Sequence, residues 1–234
     1  MRCYLHDKRL LKRRPVYAPE SPEAAQMRSK SGTHPVLLVK AALAYARRGA
    51  PVFPCEPGGK KPLTYNGFYD ATTDPRQIRT WWHRWPGANI GIPTGERSGL
   101  LILDVDLDAG GSESLARLEQ VNGPLPKTAK ARTGGGGVHV FFRYPTGETV
   151  RNSAGKLGPG LDVRGEGGYV VVPPSRTEGV YEWLDKASLA QPVWLLERLR
   201  EHSSSHGERA GPPTSAATPA ATNPDGASRL DTLF

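Results

Sequence analysis

The chain has 234 residues, 31 Lys+Arg against 23 Asp+Glu, a net charge of +8 and 37% hydrophobic residues, enough for one core of ordinary size. Its two cysteines, Cys3 and Cys55, exclude a disulfide framework and a Cys-based zinc site, and free thiols suit a reducing compartment. No apolar run approaches the ~20 residues that cross a bilayer and the N-terminus lacks the apolar stretch of a secretory signal, so a cytoplasmic protein with no membrane partner is expected.

In chain order, residues 1–34 are polar and without periodicity. The first 35 residues hold eight Lys/Arg and three Asp/Glu, so +5 of the +8 sits there. This segment reads as a disordered basic tail whose run "KRLLKRR" can touch nucleic acid or an anionic surface. A folded domain is expected over 35–202. It begins with a helix over "PVLLVKAALAYARRG", then a short strand in "APVFPC". "TTDPRQIRTWWHRW" predicts a helix with Asp74 as N-cap and Pro75 in its first turn. "LLILDVD" is a strand, "SESLARLEQVNG" a helix closed by Asn-Gly, and "GVHVFFRY", "GYVVVPPS" and "GVYEW" are strands. "PVWLLERLREH" is a last amphipathic helix. Residues 203–234, rich in Ser, Ala and Pro, read as a flexible tail. Helices and strands alternate early and strands cluster later, so the expected class is α/β (α+β): a mixed sheet with packed helices.

The strand "LLILDVD" carries the first chemical signal. Side chains alternate along a strand, which puts Leu101, Leu103 and Val105 on one face and Ile102, Asp104 and Asp106 on the other. Two carboxylates on one half-buried face repel unless a cation joins them. Hard oxygen donors suit Mg²⁺ or Mn²⁺. The plainer alternative is a strand running into an Asp-rich turn of solvated acids. A calcium loop of the EF-hand type is excluded, because its required Gly and Glu positions hold Ala109 and Leu115.

"RTGGGGVHVFF" brings four glycines to a strand containing His139. Gly136 and Gly137 can let backbone N–H groups approach an anion, with Arg132 just before them. The run precedes a strand and no lysine follows, so it is neither a Walker A loop nor a dinucleotide-binding fingerprint. His139 can serve the core or bond a phosphate oxygen. "GPGLDVRGEGGYVVVPPS" then places Asp162 and Arg164 two apart: either a structural ion pair, or an acid ligand beside a phosphate clamp. In "GGKKPL", Lys60 and Lys61 follow a Gly-Gly turn and are either solvated charges or contacts to phosphate or template. Trp81, Trp82 and Trp85 are divided between core packing and base stacking.

Taken in order, Asp104-Val105-Asp106, Gly137-Val138-His139 and Leu161-Asp162 resemble the three motifs of the archaeo-eukaryotic primase superfamily. The flanks "GGKKPL", "DATTDPRQIRTWW", "GANIGIPTGERSGLLILDVD" and "VYEW" resemble the N-terminal domain of bifunctional DNA primase/polymerases over residues 36–200. Gly137 stands where that superfamily often has Ser, so a hydroxyl able to hold a nucleotide phosphate is missing here.

The resemblance implies a primase catalytic core built on an RRM-like module. It implies template-directed DNA primase/polymerase activity in DNA replication, with Asp104, Asp106 and Asp162 holding two divalent ions, Mg²⁺ or Mn²⁺. His139 and Arg164, with Gly136, Gly137, Lys61 and Arg132, would then serve the nucleotide's phosphates. The partners implied are a DNA template and primer, (d)NTPs and a separate helicase. Rival readings are a replication factor of the same fold that binds nucleic acid with weak or lost catalysis, and a metal-dependent nuclease.

Overall fold

In the computed structural model, residues 33–204 are described. The two tails expected over 1–34 and 203–234, and Cys3, fall almost wholly or wholly outside them.

The first helix, α1 (Thr33–Arg47), leads into strand β1 (Phe53–Cys55). A 3-10 turn at Gly67–Asp70 precedes α2 (Pro75–Arg84), where the Asp74 carboxylate accepts from the Arg76 N–H as an N-cap should. Strands β2 (Asn89–Pro93) and β3 (Leu100–Val105) follow, then helix α3 (Gly111–Asn122). The rest is mostly strand: β4 (Lys130–Arg132), β5 (Val138–Arg143), β6 (Ser153–Ala154), β7 (Leu161–Arg164), β8 (Tyr169–Val172) and β9 (Glu182–Asp185), closed by α4 (Val193–Ser204).

These strands make two sheets, a three-stranded one in the order β1-β2-β8 and a six-stranded one in the order β6-β7-β3-β5-β4-β9. Every ladder between these strands is antiparallel; parallel pairing occurs at the isolated bridges Phe142–Ala190 and Arg151–Glu166. The class is therefore α+β, as the clustering of strands late in the sequence implied.

β3 is the spine of the large sheet, paired on both sides, and its alternation sorts the core. Leu100 and Ile102 pack with Leu38 and Ala42 of α1, Ile78 and Trp82 of α2, and Ile90, Ile92, Val170 and Val172 of the small sheet. Leu101, Leu103 and Val105 pack on the other face with Leu195, Leu196 and Leu199 of α4 and against Leu115 and Leu118 of α3. Both faces of β3 are buried, so it reads as an apolar run until Asp104 interrupts it.

The small sheet contains a strand that the sequence hides. "NIGIP" carries Gly and Pro, which normally weaken a strand. Gly91 is required because the Phe53 ring of β1 occupies the space where a Cβ would project. Gly91→Ala is expected to lower stability by about 1–3 kcal/mol through overpacking, seen as an earlier urea midpoint at unchanged slope. An unchanged midpoint would contradict this packing.

Candidate active site

Three neighbouring strands carry the polar residues of the sequence motifs in a single row. Asp104 on β3 lies directly opposite Asp162 on β7 and, on its other side, directly opposite His139 on β5. Directly opposed residues share a face and bring their side chains together. The row is on the same face of β3 as Leu100 and Ile102, so it continues the apolar core outward into solvent. Arg164, two residues beyond Asp162 on β7, turns back across it: its Nη2 donates to Asp162 Oδ2 at 2.9 Å and to Asp104 Oδ2 at 3.3 Å. One guanidinium thus joins two carboxylates that would otherwise repel. Asp162 uses its second oxygen, Oδ1, to accept the Gly155 N–H at 3.0 Å.

His139 is 6% exposed, with the rings of Phe141 and Tyr181 both 6.1 Å away. Burial pushes its pKa down to about 4; Asp104 opposes that shift, and Lys60 and Arg164 add to it. The imidazole is therefore neutral at pH 7. Among the described residues, buried Nδ1 has no hydrogen-bond partner, while Nε2 is 3.5 Å from Asp104 Oδ1. A protonated Nδ1 would have nothing to donate to, which assigns the single proton to Nε2, on the side of the acids.

The row opens into a cleft of about 300 Å³ between the sheets. Asp104, His139 and Arg164 line it from the large sheet, and Tyr169, Val170 and Val171 from β8 of the small one. Phe68, Lys60, Asn152, Tyr181 and the Gly167-Gly168 turn complete the lining. Gly59, next to Lys60 in the chain, is tied to Asn89, buried at the start of β2. The Asn89 amide nitrogen donates to the Gly59 and Arg176 carbonyls at 2.9 and 2.7 Å, and its oxygen accepts the Arg176 N–H at 2.9 Å. The cleft therefore has an acidic row, a cationic rim of Lys60 and Arg164, and an aromatic wall where Phe68 and Tyr169 lie 5.5 Å apart.

This arrangement can be set beside known families. The family model for the bifunctional DNA primase/polymerase N-terminal domain matches residues 42–201. The chain belongs to this Prim-Pol family. A comparison with curated proteins returns no match. Prim-Pol domains are DNA primase/polymerases in general, nucleotidyltransferases acting on DNA and nucleotides that depend on divalent metal. No helix among the described residues is long and apolar enough to cross a membrane.

Within this Prim-Pol domain, Asp104, His139, Asp162 and Arg164 share one face of the large sheet, and the other sequence candidates are outside that row. β3 ends at Val105, and Asp106 is already in the turn that follows. Its Oδ1 accepts the N–H groups of Asp108 and Ala109 at 3.1 and 3.3 Å, so the carboxylate caps its own turn. Lys61 is 79% exposed beside Glu56, and Arg132 pairs with Glu182 at 3.2 Å on the surface of β4–β9. Gly136 and Gly137 form the β4–β5 hairpin and do not line the cleft. A Cβ at Gly137 would come within 2.6 Å of the Val105 carbonyl, and Gly136 has φ +90. Close packing on the end of β3 and a left-handed turn therefore account for these glycines. Trp82 is core, its Nε1 donating to the Ala88 carbonyl at 3.0 Å, and Trp81 and Trp85 pack partly buried beside it. The buried Cys55 thiol is pushed far up by burial and is unreactive.

Asp104 and Asp162 offer the hard carboxylate oxygens that Mg²⁺ and Mn²⁺ prefer, already gathered around one cationic group. That donor chemistry fits a divalent ion once Arg164 moves aside. Among the described residues, no set of three His, Cys, Asp or Glu side chains is disposed as a ready metal cage.

Proposed function

We propose that this chain is a template-directed DNA polymerase with primase capacity, and that the cleft beside Asp104 is where a nucleotide is joined to a primer end. The observation that carries this reading is the register of β7, β3 and β5, which sets Asp162, Asp104 and His139 side by side at the mouth of a cleft with a cationic rim. Divalent ions, when bound, supply Lewis-acid stabilisation of the transferring phosphoryl group and lower the pKa of the attacking hydroxyl. Asp104 and Asp162 would hold them, with Asp106 joining if its turn opens. The neutral His139 keeps an Nε2–H donor toward the site and orients a phosphate oxygen without adding charge. Arg164 and Lys60 bind the triphosphate. The aromatic pair Phe68 and Tyr169 offers an apolar surface to sugar or base. A cationic, aromatic cleft beside the acids favours a nucleotide as substrate over simple strand hydrolysis, so polymerase is preferred to nuclease.

The test is extension of a primed DNA template with dNTPs and Mg²⁺ or Mn²⁺. The full chain should extend the primer, and an Asp104→Ala/Asp106→Ala variant of unchanged melting temperature should not. Equal extension by both proteins would remove the acid row from the mechanism. A primer-free assay on single-stranded DNA, run with dNTPs and with NTPs, separates priming from extension.

A further inference from the structure

Asn152 lies just before β6, in a segment that runs beside the Gly165–Gly168 turn joining β7 to β8. Its Oδ1 faces the Gly165 N–H, which donates to it at 2.8 Å. A backbone N–H can only donate, so the amide assignment is fixed: the oxygen is spent on the Gly165 N–H and the NH₂ lies beside Gly168. Among the described residues this NH₂ has no acceptor, and the residue lines the cleft beside Arg164 and Lys60. The turn itself is pinned. The Thr94 hydroxyl donates to the Gly165 carbonyl at 2.6 Å, and the Thr94 N–H donates to the Gly168 carbonyl at 2.9 Å. Gly168 admits no side chain, because a Cβ there would overlap the Asn152 amide. The absence of a side chain at Gly168 thus leaves room for one neutral, solvent-exposed amide, oriented by its bond from the Gly165 N–H.

We propose that Asn152 is a substrate-binding residue whose Nδ2 donates to a phosphate oxygen of the incoming nucleotide. The inference rests on the reading of this cleft as a nucleotide site. A donor that is fixed before binding loses little freedom when the anion arrives. It adds directional recognition to Lys60 and Arg164 without adding a positive charge next to the acid row, where a third cation would compete for the carboxylates.

The test uses Asn152→Asp in the full chain. Aspartate retains an oxygen for the Gly165 N–H, so the turn stays held, and it replaces the donor with a second acceptor. Binding of dATP and of inorganic tripolyphosphate is measured by titration calorimetry, with the melting temperature as the check on folding. Loss of a hydrogen bond to a charged group weakens binding by about ten- to a hundredfold, so both ligands should lose at least the lower figure. Asn152→Ser, which keeps a short oxygen without adding charge and withdraws the amide NH₂, gives the same reading should the aspartate variant not fold. Retained affinity in the Asn152 variants, with Lys60→Ala weakened, overturns the role of Asn152 and leaves the cleft as the nucleotide site. A loss seen with dATP but not with tripolyphosphate puts the amide on the nucleoside and overturns the phosphate contact. Failure of the wild-type chain to bind either ligand overturns the inference and the site reading together.

Discussion

Asp162→Asn is expected to cut primer extension by about two to three orders of magnitude, the usual effect of removing one electrostatic contact to a reacting group. The variant separates charge from shape. Asp162 divides its oxygens between the Gly155 N–H and Arg164. An asparagine can direct its oxygen to Gly155 and so keep the loop before β7 in place. Its NH₂ then faces the guanidinium, which loses one of its two acids, and any metal loses a charged ligand. The side chain is partly exposed, so the cost in stability is modest, about 1 kcal/mol or less for such a pair. Gel-based extension at saturating dNTP, paired with thermal melts, checks both halves of the expectation. Undiminished extension would mean that the β7 acid is structural and that the chemistry lies elsewhere.

Arg164→Ala should produce two effects of opposite sign. Arg164 holds Asp104 and Asp162 together and also faces the cleft, so it both competes with a cation for the acids and offers charge to an anion. Without it, the paired carboxylates have no internal counter-charge, and Mn²⁺ measured by electron paramagnetic resonance should bind more tightly. The KM for dNTP should rise by about tenfold or more, from the loss of a charged hydrogen bond. Arg164→Lys should rescue neither fully, because an ammonium cannot span two carboxylates as a planar guanidinium does. Mn²⁺ binding that is unchanged or weaker in Arg164→Ala would show that the guanidinium is not the acids' resident counter-ion.

The parts of this site that could be read from the sequence are those with a period. "LLILDVD" has the alternation of a central strand, and its interruption by Asp104 places a charge on a buried face, which is physically informative. The glycine run before His139 and the pair Asp162/Arg164 likewise sit two apart or against apolar neighbours. Asp106, one residue past the end of that strand, is where the alternation meets a turn. The strand ends at Val105, and the Asp106 carboxylate finds two N–H groups in its own turn. The strand "NIGIP" was hidden by Gly91 and Pro93, whose presence is explained only by the Phe53 ring across the sheet. Phe68, Tyr169 and Asn152 were equally silent. Each comes from a different element and reaches the cleft through tertiary packing, for which the local sequence carries no signature. The same holds for Asn89, whose three hydrogen bonds to Gly59 and Arg176 span 30 and 87 residues. Lys60 and Lys61 are alike in sequence, and only the folded chain shows that Lys60 lines the cleft while Lys61 lies beside Glu56.

The two sheets are tied by the Gly165–Gly168 turn, since β7 ends at Arg164 in one and β8 begins at Tyr169 in the other. Opposite jaws of the slot are thus consecutive stretches of one chain, like a caliper whose gap is set by the length of its bridge. The β2–β3 connection makes a second tie, since β2 ends at Pro93 in the small sheet and β3 begins at Leu100 in the large one, and the β2–β8 ladder fixes which way Tyr169 faces.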